Sequence, residues 1–246
     1  FDKLAIGHHA NDQVETILMK FLRGTGLKGL GGIDPNTESI IRPLIEAKKE
    51  EIKQYCAKNN LNWRLDSTNQ QEICLRNKIR LNLLPELITE YNNNLVNNLN
   101  QMAEVLRTEN QFLENKTQQL LSKVLIDNII EGKYIISKDE FLDLHLSMQR
   151  RIIRLLFKRL TGSYQNLYFH NVEEALELIK QNKTGIETNL PEGVLIRLNY
   201  GQIIFMLADD IEEIDHFNYQ LSVGEKLKIP ELNLVINSKA LESNYP

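Results

Sequence analysis

The sequence predicts an α/β domain with a parallel sheet, followed by a helical domain and the start of a small β-rich domain. Three observations lead to this fold class. Strand and helix patterns alternate over residues 1–90, which favours a parallel sheet. A long helical pattern then begins, and the chain returns to a β pattern after residue 215. We therefore expect domains at 1–90, 91–210 and 216–246.

The first domain contains four or five predicted elements. Residues 3–7 are typical of the end of a buried strand, and residues 12–23 have apolar side chains at helical spacing. A further strand or extended segment is predicted at 40–44. Helices follow at 46–59 and at 70–84, where Pro85 should interrupt the pattern.

The second domain begins with a long predicted helix over residues 95–124, whose apolar residues are roughly heptad-spaced. Ser137 and Glu140 form the ends of a capping-box pattern. The remaining patterns predict helices at 147–160 and 170–181, a hairpin of strands 194–199 and 202–206, and β segments at 219–222, 227–229 and 232–236.

Composition limits the function classes. The 246 residues are 42% hydrophobic and 25% charged, with no apolar run long enough for a membrane span and no signal peptide, so we expect a cytoplasmic protein. The net charge of −4 gives no global support for nucleic-acid binding. Cys56 and Cys74 form no CxxC pair, which argues against structural zinc. Because the first residue is Phe1, we expect the true N-terminus to lie upstream.

The strongest candidate site follows the first strand. Asp12 and Glu15 lie one turn apart at the start of the first helix, on the side opposite its apolar residues. At the carboxyl end of a parallel strand, such carboxylates can hold Mg²⁺ and thereby neutralise phosphates. Acidic residues in a first helical turn are also favoured by the helix dipole without any ligand. His8 and His9 add polar rings at the same strand end, and the sequence does not decide which faces the site.

The glycines that follow resemble a dinucleotide fingerprint. Gly24, Gly26 and Gly29 have its spacing, but they end a helix instead of opening one after a strand. We therefore expect turns with positive φ and close approach at these glycines, with Arg23 on the rim.

A pair of arginines forms a second candidate. Arg76 and Arg80 lie at i and i+4 on one helix face, a spacing suited to clamping a phosphate or carboxylate. A solvated surface, or a salt bridge to Glu72, explains the pair equally well. The preceding Asp66–Asn69 segment has turn and helix-cap chemistry.

Three separated motifs carry a family resemblance. In order they are HHANDQVETILMKFLRGTGLKGLGGI, IIRPLIEAKKEEI and DSTNQQEICLRNKIRLNLLPEL. Their order and spacing resemble the core of the tRNA(Ile)-lysidine synthetases, which are PP-loop ATPases. Asn11 stands where the family often has Asp, whereas Asp12 and Glu15 keep their places. The resemblance is strong over residues 3–87 and weaker to about residue 240. The family's SGGxDS loop for the ATP phosphates does not occur, and we expect it before Phe1.

The resemblance implies a ligase that uses ATP to adenylate the wobble cytidine of a CAU-anticodon isoleucine tRNA. Free lysine then displaces AMP to give lysidine. It implies catalytic roles for Asp12, Glu15 and His9, with Mg²⁺ on Asp12. ATP, Mg²⁺, lysine and tRNA(Ile) are the implied ligands, and a homodimer is left open. Phosphate or tRNA contacts would come from Arg23, Arg42, Arg76 and Arg80.

A local basic stripe is the candidate tRNA surface. One side of the predicted helix 147–160 carries Arg150, Arg151, Arg154 and Lys158, and no acidic residue interrupts the stretch. A stripe of one sign suits phosphate binding, although a solvated face is an equal alternative.

Two other functions stay open. A different PP-loop tRNA-modifying enzyme, such as a thiolase, would fit the first domain, although isolated cysteines argue against it. As a fragment without the ATP loop, the chain is expected to be inactive and could serve as a tRNA-binding module.

Overall fold

A computed structural model of the chain describes residues 2–64, 74–130, 132–181, 183–208, 219–229 and 234–239. The Asp66–Asn69 segment and the start of the predicted 70–84 helix lie outside these ranges. The chain forms two compact units, Phe1–Gln119 and Leu120–Pro246, and each is described by itself. The division expected from the sequence, at 1–90, 91–210 and 216–246, stays a prediction.

A parallel strand pair opens the first unit. β1 (Leu4–Ala5) pairs with β2 (Ile40–Ile41) in parallel, and α1 (Ala10–Leu22) and α2 (Leu27–Leu30) form the connection. The predicted parallel sheet is therefore confirmed. The expected burial of the first strand is wrong, because Leu4 is 63% exposed. Its strand pairs with β2 alone among the described residues, so its side chains are left uncovered.

Helix α1 begins and ends where its sequence requires. His9 is the N-cap, and Gly24 follows the last turn with a φ of 75°, a conformation that glycine adopts without strain. Val14 and Ile17 are buried, as their helical spacing predicts. Phe21 has the same helical spacing, which favours burial, but the residue is 65% exposed at the end of the helix.

The next helices begin at the end of the second motif and continue through the third. α3 (Lys49–Lys58) is held at its start by Glu51, whose carboxylate accepts the Lys48 N–H at 2.8 Å. A longer helical segment then runs through α4 (Leu75–Lys78) and α5 (Leu84–Glu86), with π-helical turns at Ile79–Leu83 and Leu87–Tyr91.

The expected interruption at Pro85 is wrong. Pro85 lies in the first turn of α5, next to the preceding π-helical turn, where the Leu84 N–H reaches back to the Ile79 carbonyl. A wider turn removes the need for a proline N–H and relieves its clash with the preceding turn. The helical segment therefore continues past the proline to Tyr91.

The long helix α6 (Leu95–Val124) has the bounds that the heptad-like spacing predicted. In the first unit its side chains donate hydrogen bonds to backbone carbonyls of earlier residues. Asn100 donates to the Ala10 carbonyl at 3.3 Å, and Arg107 donates to the Gly31 carbonyl at 2.9 Å.

The second unit is built on a five-stranded antiparallel sheet with the order β3-β4-β7-β6-β5. Its strands are β3 (Leu125–Ile130), β4 (Lys133–Ser137), β5 (Glu187–Asn189), β6 (Val194–Asn199) and β7 (Gln202–Leu207). The sequence predicted the β6–β7 hairpin and missed the other three strands. These three strands add an antiparallel sheet to the helices and the hairpin that the sequence predicted in this region.

Three helices complete this unit: α7 (Lys138–Leu142), α8 (Leu146–Thr161) and α9 (Phe169–Lys180). Ser137 caps α7 by accepting the Glu140 N–H, in agreement with the predicted cap. Apolar side chains from α8, α9 and the sheet form one continuous core, in which Ile153, Phe157 and Phe205 are fully buried.

A small antiparallel pair follows, formed by β8 (Lys226–Ile229) and β9 (Leu234–Asn237). The expected strand at 219–222 is wrong, because these residues are irregular. Across the described ranges, no helix combines the length and apolar character that a membrane crossing requires.

Candidate functional site

His9 closes the N-terminus of α1 through reciprocal contacts with Asp12. The imidazole Nδ1 accepts the Asp12 N–H at 3.3 Å, and the Asp12 carboxylate accepts the His9 N–H at 3.0 Å. Burial lowers the pKa of His9 below its ordinary value of 6.5, which outweighs the raising effect of the nearby Asp12. The neutral ring is therefore the form that fits this cap. His8 points elsewhere, and its Nδ1 accepts a bond from Arg42 Nε at 3.0 Å.

Asp12 and Glu15 are joined to Arg76 and Arg80 in one ion-pair cluster. Glu15 accepts from Arg76 Nε at 2.8 Å and from Arg80 Nε at 2.6 Å, and Arg80 Nη2 adds a bond to Glu15 at 2.8 Å. The Asp12 Oδ1 atom accepts from Arg76 Nη2 at 2.9 Å and from Arg80 Nη2 at 3.0 Å. We call these four residues the carboxylate–arginine cluster.

In the cluster, the two carboxylates are more deeply buried than the two guanidinium groups. The Glu15 and Asp12 side chains are 2% and 10% exposed, whereas those of Arg76 and Arg80 are 34% and 21% exposed. Hydrogen bonding to Glu15 raises the pKa of Arg80 above its ordinary value. Buried carboxylates require such pairing, because an unpaired buried charge is costly. The guanidinium groups are thus held in place and carried to the surface.

Two expectations about these residues change. The sequence placed Asp12 and Glu15 on a face turned away from the core, but both are buried. It also treated the arginines as a separate site, with Glu72 as an alternative partner, whereas they pair with Asp12 and Glu15. The paired residues lie 61 to 68 positions apart in sequence, so no local pattern could reveal their pairing.

The cluster does not fit a magnesium ion in this arrangement. Asp12 Oδ1 is shared by two guanidinium groups and Oδ2 serves the helix cap, while both Glu15 oxygens accept from arginine. Mg²⁺ needs oxygen ligands in near-octahedral geometry, and three of these four oxygens already accept hydrogen bonds from arginine guanidinium groups. Over the described residues, no group of three or more His, Cys, Asp or Glu side chains could hold a metal.

The other first-unit arginines differ in their surroundings. Arg42 donates to His8 and to the Asp34 carbonyl at 2.7 Å, so it braces the strand end. Arg23 is exposed at the end of α1, as expected for a rim position. Gly29 is closely packed, because a Cβ there would lie 1.8 Å from Thr25 Oγ1. The sequence prediction therefore holds for the positive φ of Gly24 and the close approach at Gly29, whereas Gly26 is the N-cap of α2 with a φ of −91°.

The basic stripe on α8 is partly neutralised. Arg150 forms a bidentate pair with Glu173 of α9, at 2.7 and 2.9 Å, which corrects the expectation of a stripe of one sign. The pairing raises the pKa of Arg150 and lowers that of Glu173. Arg154 and Lys158 lie over the Tyr164 ring at 5.3 and 5.4 Å. Arg151 is half-buried on the same helix.

The aromatic neighbours of this stripe were missed by charge patterning. Tyr164, Tyr168 and Phe169 follow α8 in the sequence, and two of the three are exposed. Arg150 lies 5.2 Å from the centre of the Phe169 ring. A run of aromatic residues close to a basic helix was the available signal.

Comparison with known families agrees with this architecture. Residues 1–87 match the PP-loop domain family, and residues 137–204 match the family described as the TilS substrate binding domain. The first unit therefore carries a PP-loop domain, which places the carboxylate–arginine cluster in a domain of that class.

Curated relatives match nearly the whole length of this chain. This chain is 34% identical over 242 residues to a tRNA(Ile)-lysidine synthase of Clostridioides difficile (strain 630), covering 98% of this chain and 52% of the relative. It is 35% identical over 244 residues to one of Clostridium acetobutylicum, covering 99% and 52%, and 33% identical over 234 residues to one of Caldanaerobacter subterraneus subsp. tengcongensis, covering 95% and 48%. The chain is similar to tRNA(Ile)-lysidine synthases over nearly all of its own length, and it spans about half the length of these relatives.

Proposed function

We propose that the protein containing this chain ligates lysine to the wobble cytidine of a CAU-anticodon isoleucine tRNA, with ATP as the activating substrate. The relatives named tRNA(Ile)-lysidine synthase and the matched PP-loop domain support this reaction. In it, ATP adenylates the C2 oxygen of cytidine and releases pyrophosphate. The ε-amino group of lysine then attacks C2, and AMP leaves.

The observation that carries the proposal is the carboxylate–arginine cluster, which suits an amino-acid zwitterion. Arg76 uses Nε and Nη2 for the carboxylates, and its Nη1 makes no bond to any residue in the described ranges. That edge can bind the α-carboxylate of lysine. Asp12 Oδ2, whose hydrogen bond comes from the His9 N–H, can accept the α-ammonium group.

The remaining site residues take supporting roles in this proposal. Glu15 and Arg80 hold the geometry of Asp12 and Arg76, and His9 fixes Asp12 from the other side. Arg23 and Arg42 face the nucleotide or tRNA phosphates, as Arg150, Arg151, Arg154 and Lys158 do in the second unit. Mg²⁺ enters bound to ATP, because the cluster offers it no vacant carboxylate. Self-association into a homodimer stays a prediction that light scattering would test.

The two half-reactions separate lysine binding from adenylation. With Asp12→Asn in the complete gene product, we expect the Michaelis constant for lysine to rise at least tenfold, because about 1.5–3 kcal/mol of charge-assisted hydrogen bonding is lost. Adenylated tRNA should still form and should accumulate. The measurement follows labelled lysine and labelled AMP on a CAU tRNA transcript.

The matched control is Glu51→Gln, which changes an exposed carboxylate that caps α3 in the same unit. It should leave both half-reactions unchanged. Equal loss of adenylation and lysine transfer in Asp12→Asn would contradict a lysine contact at this residue. Lysine transfer that needs no ATP would contradict the proposed reaction itself.

A further inference from the structure

A surface of the second unit combines exposed aromatic rings with cations. It is formed by the end of α8, the connection to α9 and the first turn of α9. We call it the aromatic–cationic face, and its members are Arg150, Arg154, Lys158, Tyr164, Tyr168, Phe169 and His170.

The rings at the start of α9 are not part of the core. Tyr168 is 62% exposed and Phe169 is 67% exposed, whereas the neighbouring Leu167 and Val172 supply the buried contacts. Two adjacent large rings in water are unfavourable unless something covers them. Tyr168 and His170 are also nearly parallel, with 7° between their planes and 5.9 Å between their centres. Tyr168 and His170 therefore stack on each other, and Tyr168 and Phe169 remain largely exposed.

The cations near these rings keep their charge at the surface. Arg154 and Lys158 lie over the Tyr164 ring, and neither forms an ion pair with another described residue. Arg150 balances Glu173 and lies against Phe169, so it orders the ring without adding net charge. The face thus carries net positive charge next to open aromatic surface.

We propose that the aromatic–cationic face binds an unpaired segment of RNA, with bases stacked on Tyr168 and Phe169 and phosphates held by Arg154 and Lys158. Stacking requires exposed base faces, which a duplex hides and a single strand offers. The positive charge complements the phosphate backbone, and the exposed rings next to it suit bases. The inference deepens the proposed function, since it assigns to this face an unpaired part of the tRNA.

A base-deletion experiment tests the stacking directly. The 246-residue chain is titrated into a labelled eight-nucleotide RNA and into the same backbone without bases, and fluorescence anisotropy reports binding. Phe169→Ala should weaken binding of the RNA at least about fivefold, the lower end for one stacked base. It should leave binding of the abasic strand and the salt dependence of RNA binding unchanged.

Three further variants make the result interpretable. Phe169→Tyr retains the ring and should retain affinity. Phe112→Ala removes an equally exposed ring, 67%, from the first unit and should change nothing. Replacing both Arg154 and Lys158 with alanine should reduce the slope of the salt dependence by about 1.4, roughly 0.7 for each cation on a single strand, with and without bases alike.

Several outcomes would overturn the proposal. They are an equal loss on the abasic strand, an equal effect of Phe112→Ala, and tighter binding of a duplex than of the single strand. The probe is not a tRNA and no ligation is measured. Stacking without lysidine formation would therefore contradict the proposed function alone, and lysidine formation without stacking would contradict this inference alone.

Discussion

The buried half of the carboxylate–arginine cluster makes a quantitative prediction. Glu15→Gln keeps the shape of the side chain but removes a charge that balances two guanidinium groups. The Glu15 side chain is 2% exposed, and it receives three arginine hydrogen bonds of 2.6 to 2.8 Å. Removing one partner of a buried ion pair costs about 3–5 kcal/mol. Because both arginines reach solvent, we expect the lower end, about 3 kcal/mol of unfolding free energy.

The assay is urea unfolding followed by the fluorescence of Trp63, the one tryptophan of the chain, which lies in the first unit. The control is Glu114→Gln, the same substitution at the exposed Lys28–Glu114 pair of that unit, whose side chains are 59% and 34% exposed. An exposed pair contributes at most about 1 kcal/mol. Equal destabilisation by the two substitutions would refute the buried cluster.

Three further predictions follow from the same geometry. The folded-state pKa of His9 lies below 6.5, so the stabilisation from the neutral ring is present above that pH and is lost as the pH falls through the lowered pKa. His9→Asn keeps a capping side chain and should flatten the fall in unfolding free energy below pH 6.5. An unchanged pH profile would exclude His9 as the source of that fall. Arg80→Lys keeps the charge but cannot reproduce the forked contacts to Asp12 and Glu15. The free energy of unfolding should therefore fall by about 1–3 kcal/mol. A variant as stable as the parent would contradict the need for a guanidinium group. Tyr200 has a φ of 40° at the tip of the β6–β7 hairpin, a conformation that asparagine tolerates better. Tyr200→Asn should therefore raise the unfolding free energy of the second unit by up to about 1 kcal/mol, and with it the melting temperature. A lower melting temperature would contradict a strained turn.

Local patterns predicted the elements whose signals are contained in a short window. The bounds of α6 followed from its apolar repeat, and the β6–β7 hairpin followed from two apolar runs around Asn199–Gln202. The end of α1 followed from Gly24. In each case the residues that define the element are neighbours in sequence.

Elements that depend on distant partners were not predictable in this way. β3 and β5 are edge strands whose pairing with β4 and β6 is settled by the sheet as a whole. The helix through Pro85 required π-helical turns that no propensity indicates. Exposure of Phe21 depends on what packs around the end of α1, which helical spacing does not specify.

The candidate site was half predictable for the same reason. The sequence identified Asp12, Glu15, Arg76 and Arg80 as chemically important, because carboxylates at a helix start and arginines at i and i+4 are recognisable patterns. It could not show that the four form one cluster, since they are brought together by the packing of α1 on α4 and the following π-helical turn. That packing joins the two pairs, each a weak signal in the sequence, into one cluster.

The most direct test of the proposed function is nucleoside analysis of the product. A CAU-anticodon tRNA(Ile) transcript is incubated with the complete gene product, ATP and isotopically labelled lysine, then digested and examined by mass spectrometry. We expect one cytidine, at the wobble position, to gain the mass of lysine less one water, with AMP released in equal amount. An unmodified cytidine, or a sulfur substitution in its place, would contradict the account.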